Sequence, residues 1–221
     1  NSYFDRATGK TVPLILDRIF NKDQTVQTPT IYDAAHQAGL KTAAVCWPAS
    51  REAASLDWTV PDMFEADAWP KYGTRAWLDE LRREGWPVDK QNAWCSMPGG
   101  GVPRDWLYTR MVRQLVRKHS PNLVLLHLVE PDHVQHAHGP RSDEAYWVAS
   151  YSDDRIRDLV EAIEASPLAG KTTLFVLSDH GFFPVNYEIR PNVVLRKLGL
   201  IEGSGAAEKR VAYCMAEGGA C

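Results

Sequence analysis

Cysteine is sparse and shows no pairing pattern. The four thiols, Cys46, Cys95, Cys214 and Cys221, include no C-x-x-C pair, so the chain encodes neither a disulfide framework nor a thiolate-rich zinc module. Each reads as a buried thiol acting as a small apolar side chain, which leaves the redox compartment open. Excess charge of one sign is also missing. With 25 Lys and Arg against 28 Asp and Glu the formal net charge is -3, so there is neither a basic stripe for nucleic acid nor a polybasic patch for a membrane surface. Nucleic acid is therefore not expected as a partner, and any phosphate recognition must come from bound cations. No apolar run approaches the roughly 20 residues of a membrane span, and the first residues lack the charged, apolar and small-residue zones of a secretory leader. Internal repeats are missing too. What remains is 221 residues, 44% hydrophobic and 24% charged, enough for a domain-sized core of ordinary solubility.

Helical and extended patterns alternate along most of this length. Thr28 and Pro29 open a helix that Gly39 stops, and the apolar run Lys41 to Trp47 reads as a strand ended by Pro48. From Trp58 to about Pro103 the rhythm breaks. Five tryptophans lie among prolines, charges and the run Pro98-Gly99-Gly100-Gly101, with one helix expected near Thr74 to Gly85. Residues 58–103 are therefore read as an inserted cap or specificity region, and residues 1–57 and 104–221 as two parts of one core. A helix from Arg104 to His119, a strand from Leu123 to Val129, and a long helix capped by Ser142 follow. A strand from Thr172 to Leu177, a helix from Pro191 to Leu198 and a strand near Val211 to Met215 complete the pattern. This order predicts an α/β fold with a mainly parallel sheet and helices on both faces.

Two short segments carry chemistry. Glu130-Pro131-Asp132-His133-Val134-Gln135-His136-Ala137-His138-Gly139-Pro140 and Ser178-Asp179-His180-Gly181 each follow an expected strand, which delivers Asp and His to the carboxyl edge of the sheet, where α/β folds place ligands. Asp oxygen and His nitrogen suit zinc or a similar divalent ion, and two such sets suggest a two-metal site for phosphoryl chemistry. Asp132 and His136, four residues apart, can turn toward one ion. Asp179 and His180 form the second pair, with capping of a strand-to-helix turn as the alternative. His133 and His138 flank the ligand position as pocket-edge residues. His127 reads as a core imidazole or one that supports a ligand from behind, and His36 and His119 as helix-surface residues.

These segments resemble a known family. Residues 130–140 look like the EPD-x3-H-x2-GP signature of the type I phosphodiesterase/nucleotide pyrophosphatase family, and Ser178 to Gly181 like the second metal motif of the alkaline phosphatase superfamily. Asn1-Ser2-Tyr3-Phe4-Asp5 resembles the stretch after the family's nucleophile helix, and Cys46-Trp47-Pro48-Ala49-Ser50 is similar to its WPGS segment. The resemblance implies an alkaline-phosphatase-like core. It also implies two divalent ions, zinc or alternatively manganese, held in part by Asp132, His136, Asp179 and His180, and a substrate-binding role for Asn1 toward a phosphoryl oxygen. The implied substrate is a small phosphodiester or nucleotide, cleaved at a phosphodiester or pyrophosphate bond. The same comparison places the first metal-binding Asp and the Thr or Ser nucleophile before Asn1, and a further ligand His after Cys221. The chain is accordingly expected to be a fragment of the catalytic domain, inactive alone. A catalytically silent core piece, a non-hydrolytic binding relative, and a phosphomonoesterase or a phosphonate or sulfate ester hydrolase are the alternatives. The family resemblance would suit a periplasmic or secreted location, and the residues leave location and oligomeric state open.

Overall fold

The tight turn after Asp5 is the first structure that local chemistry dictates. Strand β1 (Ser2–Asp5) pairs antiparallel with β2 (Lys10–Pro13). The Asp5 carboxylate accepts from Ala7 N at 2.9 Å and from Thr8 Oγ1 at 2.6 Å, closing the connection between them. The computed structural model describes residues 2–13, 20–63 and 65–214. Asn1, assigned above to substrate, lies outside them. The chain divides into two units, residues 16–183 and residues 1–15 with 184–221.

The larger unit begins with α1 (Lys22–Thr25) and α2 (Ile31–Gln37). Helix α2 starts at Thr30 rather than Thr28, because only Thr30 has an acid three residues on. Its hydroxyl accepts from Asp33 N at 3.2 Å, while Asp33 Oδ2 accepts from Thr30 N at 2.7 Å. Next come β3 (Thr42–Trp47), β4 (Trp58–Pro61), α3 (Ala68–Tyr72), α4 (Arg75–Arg83), α5 (Gln91–Cys95), α6 (Gly101–Lys118) and β5 (Leu123–Leu126). Helices α7 (Glu130–His138) and α8 (Asp143–Glu164) close the unit. The smaller unit resumes with α9 (Pro191–Lys197) and the antiparallel pair β6 (Ile201–Glu202) and β7 (Lys209–Arg210).

The central sheet has the order β4-β3-β5 and is parallel throughout. Strand β3 is the middle one and is buried on both faces, as its continuous apolar run requires. Alternation along it sends Ala43 and Val45 into a core built with Leu107, Met111 and Leu115 of α6. Ala44 points the other way, into a core with Tyr32 of α2. Helices thus cover both faces, and the expected α/β class holds.

Residues 58–103, read as an insertion, contribute both to the sheet and to the core. Trp58 to Pro61 form β4, and Trp69 and Trp77 are buried in the main hydrophobic cluster with Trp58, Trp86 and Trp94 packed against it. Trp77 Nε1 donates to Gln114 Oε1 at 2.9 Å, so the one polar atom of that side chain is satisfied inside the core.

Two expected strands differ from what is found. Thr172 to Leu177 is not a paired strand: Leu174 to Leu177 are 44–86% exposed, and among the described residues β5 has a hydrogen-bonded neighbour only on its β3 side. An apolar run proposes a strand, but a ladder partner is needed to form one. Near Val211 the pairing is confined to Lys209 and Arg210, and Met215 lies outside the described residues.

Candidate metal centre

Asp132 and His136 reach one face because the segment after β5 forms a helix, α7 (Glu130–His138). Pro131 sits in the first turn of α7, where a missing N–H costs nothing, and Gly139 ends the helix at φ 83° with its N–H bonded to Gln135 O at 2.9 Å. Asp132 and His136 are then i and i+4 neighbours, with His136 Nε2 3.4 Å from Asp132 Oδ1.

The start of α7 is fixed from behind by α6. Asp105 is fully buried and its carboxyl accepts from Val129 N at 2.8 Å and Glu130 N at 3.0 Å. Burial pushes that carboxyl up to about 7, against the opposing effect of the two N–H bonds. Gly101 allows the approach. A Cβ there would stand 1.8 Å from Glu130 Oε2, so no larger residue fits while Glu130 stays in place.

Asp179 and His180 lie in irregular chain that turns back on itself. Ser178 Oγ donates to His180 O, and His180 Nδ1 lies 3.2 Å from Gly181 O. The ring's other nitrogen faces the cluster, with His180 Nε2 3.5 Å from Asp132 Oδ1 and 3.6 Å from Asp179 Oδ2. Asp132 Oδ1 thus lies near both His136 and His180, and Asp179 reaches the group only through His180. Among the described residues, no three of the four predicted ligands offer ligand atoms that all lie within 4.8 Å of one another. They are open to solvent, Asp132 at 41% and His136 at 67% side-chain exposure. Phe182, which sequence reasoning did not single out, presents its ring to both imidazoles. The centroid distance is 4.9 Å to His136 and 5.2 Å to His180, both edge-on. Its position two residues past His180 was the available signal.

The remaining histidines have other neighbours. His133 Nδ1 is 3.5 Å from Glu130 Oε2, and His138 Nδ1 is 3.7 Å from Glu144 Oε1. His119 Nε2 lies 2.9 Å from Glu80 Oε2, with its ring tilted over Trp58 at 5.0 Å. His127, at the end of β5, joins a group that the sequence did not reveal. Cys46 Sγ, a carboxylate oxygen of Asp62 and a ring nitrogen of His127 lie within 4.8 Å of one another. Cys46 and Cys95 are free thiols, and Cys221 lies outside the described residues.

A cavity of about 390 Å³ lies elsewhere, lined by Trp94, Trp106, Tyr151, Lys90 and Arg155 among others. None of the four Asp and His residues lines it. Among the described residues no helix is long and apolar enough to cross a membrane.

The model of the family described as type I phosphodiesterase / nucleotide pyrophosphatase matches residues 1–217. No curated protein matches the chain.

Proposed function

Because the chain belongs to the type I phosphodiesterase / nucleotide pyrophosphatase family, we propose that the intact protein hydrolyses phosphodiester or pyrophosphate bonds of small nucleotide-type substrates with the help of divalent metal. The family implies hydrolysis of that type. The reading for this chain is supported above all by Asp132 Oδ1, which lies 3.4 Å from His136 Nε2 and 3.5 Å from His180 Nε2. Carboxylate oxygen and imidazole nitrogen at such separations are a donor set suited to zinc, with manganese as the second choice.

In this reading Asp132, His136, Asp179 and His180 hold the metal, and two ions are expected. Bound there, divalent ions polarise a phosphoryl oxygen and offset the charge that builds up on the attacking and leaving oxygens. The chain's own residues then have distinct tasks. Asp132 and Asp179 supply the negative charge, so losing either removes charge compensation as well as a ligand. His136 and His180 supply nitrogen donors whose ring planes are braced by Phe182. Asp105 and Gly101 set where α7 begins, and so where Asp132 stands. The attacking oxygen comes, by resemblance, from a Thr or Ser that is not among these 221 residues. It attacks phosphorus in line, expels the leaving alcohol or phosphate, and water then cleaves the resulting phosphoester to regenerate the hydroxyl. Asn1 is proposed to hold a phosphoryl oxygen.

The test is metal content by elemental analysis of protein purified without added zinc. Near-stoichiometric zinc or manganese is expected, falling in both Asp132→Ala and Asp179→Ala, with a smaller loss in His133→Ala. A chain extended in both directions is then expected to cleave a chromogenic phosphodiester. Metal without cleavage in that longer chain would favour the non-hydrolytic binding relative, and no metal in either chain would overturn the hydrolase reading.

A further inference from the structure

Each strand of the sheet ends in one potential metal donor. Cys46 is the next-to-last residue of β3, Asp62 directly follows β4, and His127 directly follows β5. All three therefore sit at the carboxyl edge of the parallel sheet, and they come from three separate strands rather than from one motif. This is why the sequence, with its lone thiol at 46, gave no sign of them.

The backbone is bent to bring them together. Cys46 has φ 51°, in the left-handed region that a non-glycine residue enters at a cost. The β3–β4 register shifts between Val45 and Trp47, so Cys46 occupies a bulge in the ladder, the device by which strands redirect a side chain. The redirected Sγ donates to Asp62 Oδ1 at 3.3 Å. On the far side of that carboxylate, His127 Nδ1 lies 4.0 Å from Asp62 Oδ2. His127 Nδ1 is itself buried and makes no hydrogen bond, an unusual state for an imidazole nitrogen in a polar cluster.

We propose that Cys46, Asp62 and His127 form a metal site for a single zinc ion, distinct from the cluster around Asp132, with a fourth position left to water. Thiolate, carboxylate and imidazole are the zinc donors of proteins. Tetrahedral zinc at its usual bond lengths holds them roughly 3.3 to 3.7 Å apart. The Cys46–Asp62 separation of 3.3 Å already matches, and His127, 4.0 Å from Asp62 and with all three atoms within 4.8 Å of one another, has a short distance to close. Ion binding replaces the Cys46 S–H bond with a sulfur–metal bond and releases the proton to water, so no electron changes hands. Arg104 faces the same carboxylate, its Nη2 3.8 Å from Asp62 Oδ1 while its Nε donates to Tyr108 Oη at 2.9 Å. Burial, and then the Asp62 charge, push the Cys46 thiol well up; the Arg104 charge works the other way, favouring the thiolate, and disfavours the dication. Asp62 and the thiolate together neutralise the ion, leaving the site one positive charge, that of Arg104. His127 is partly exposed, which gives the ion a way in.

Cobalt(II) titrated into chelator-treated protein tests this, because a thiolate bound to cobalt absorbs in the near ultraviolet and the Asp132 cluster contains no sulfur. A charge-transfer band saturating at one equivalent and bleached by zinc is expected. It should vanish in Cys46→Ser, persist in Asp132→Ala, and need about tenfold or more higher cobalt in His127→Ala. Cys46→Ser is checked for its native circular dichroism, and the partly exposed His127 provides the second variant. Absence of the band in the unaltered protein, its persistence in Cys46→Ser, or an unchanged titration in His127→Ala would overturn the proposal. Loss of metal in Asp132→Ala with the band intact would leave both sites standing, so the failure of one is read separately from the other.

Discussion

Ala49 carries a side chain where its backbone favours none. It stands at φ 54° in the Trp47-Pro48-Ala49-Ser50 turn, and its carbonyl accepts from Tyr32 Oη at 2.7 Å, which ties the turn to α2. A left-handed conformation costs an L-residue roughly 1–2 kcal/mol, partly offset in a glycine variant by the greater freedom of its unfolded chain. Ala49→Gly is therefore expected to stabilise the protein by up to ~1 kcal/mol, measured as a higher urea midpoint with an unchanged slope. The position was legible as part of a recognisable segment, since the related WPGS segment has glycine there. That Ala49 sits under strain was not, because a dihedral angle depends on what holds the turn from outside it. The same contrast holds for Cys46, whose identity read as a buried thiol while its bulged backbone and its two partners came only from strand order.

Among the elements, α2 shows how one carboxylate can serve several. Asp33 closes the helix's capping box with Thr30 and also pairs with Lys22 at 2.7 Å and accepts from Ser55. Burial alone would raise this carboxyl. Hydrogen bonds from Lys22, Ser55 and Thr30 more than reverse that and hold it well below the ordinary value. A group depressed in the folded state contributes stability that is complete above its unfolded value, near 3.9, and is lost as pH falls through the folded one. Stability measured by denaturant unfolding is thus expected to fall steeply below about pH 4 in the native protein. In Lys22→Met it should be lower at pH 7, decline less steeply on acidification, and approach the native value at the acid end. Parallel slopes in the two proteins would show that Lys22 does not hold Asp33 ionised. Helix α7 makes the complementary point. Its apolar content is low, and it forms where Pro131 starts it, Gly139 ends it, and Asp105 accepts its first free N–H groups.

At the scale of the molecule, the tryptophan-rich stretch is bound into the core of the larger unit. Trp77 is 1% exposed and packs with Leu78, Leu81 and Met111 in the same cluster as Val45 and Val60 of the sheet. Trp77→Ala is expected to cost about 3–5 kcal/mol, combining the lost transfer energy with the cavity left behind. Gln114 would also lose the indole donor it accepts from at 2.9 Å. The expected readout is a single, lower thermal transition that moves the sheet and residues 58–103 together. Separate transitions would mean that residues 58–103 fold on their own.

The sequence by itself determined the α/β class, the helices with strong caps such as Ser142, and the pairing of Asp132 with His136, because periodicity, capping and i, i+4 spacing are local and need no partner. It also determined the family, because its signatures are short and contiguous. Tertiary structure alone decided that Asp132 Oδ1 would bring His136 and His180 together, since those residues stand far apart in the chain. It likewise decided that Thr172 to Leu177 would not form a strand, because a strand exists only where a neighbour completes its ladder. The cluster of Cys46, Asp62 and His127 belongs to the same class: three strand ends meet only once the order β4-β3-β5 has set them side by side.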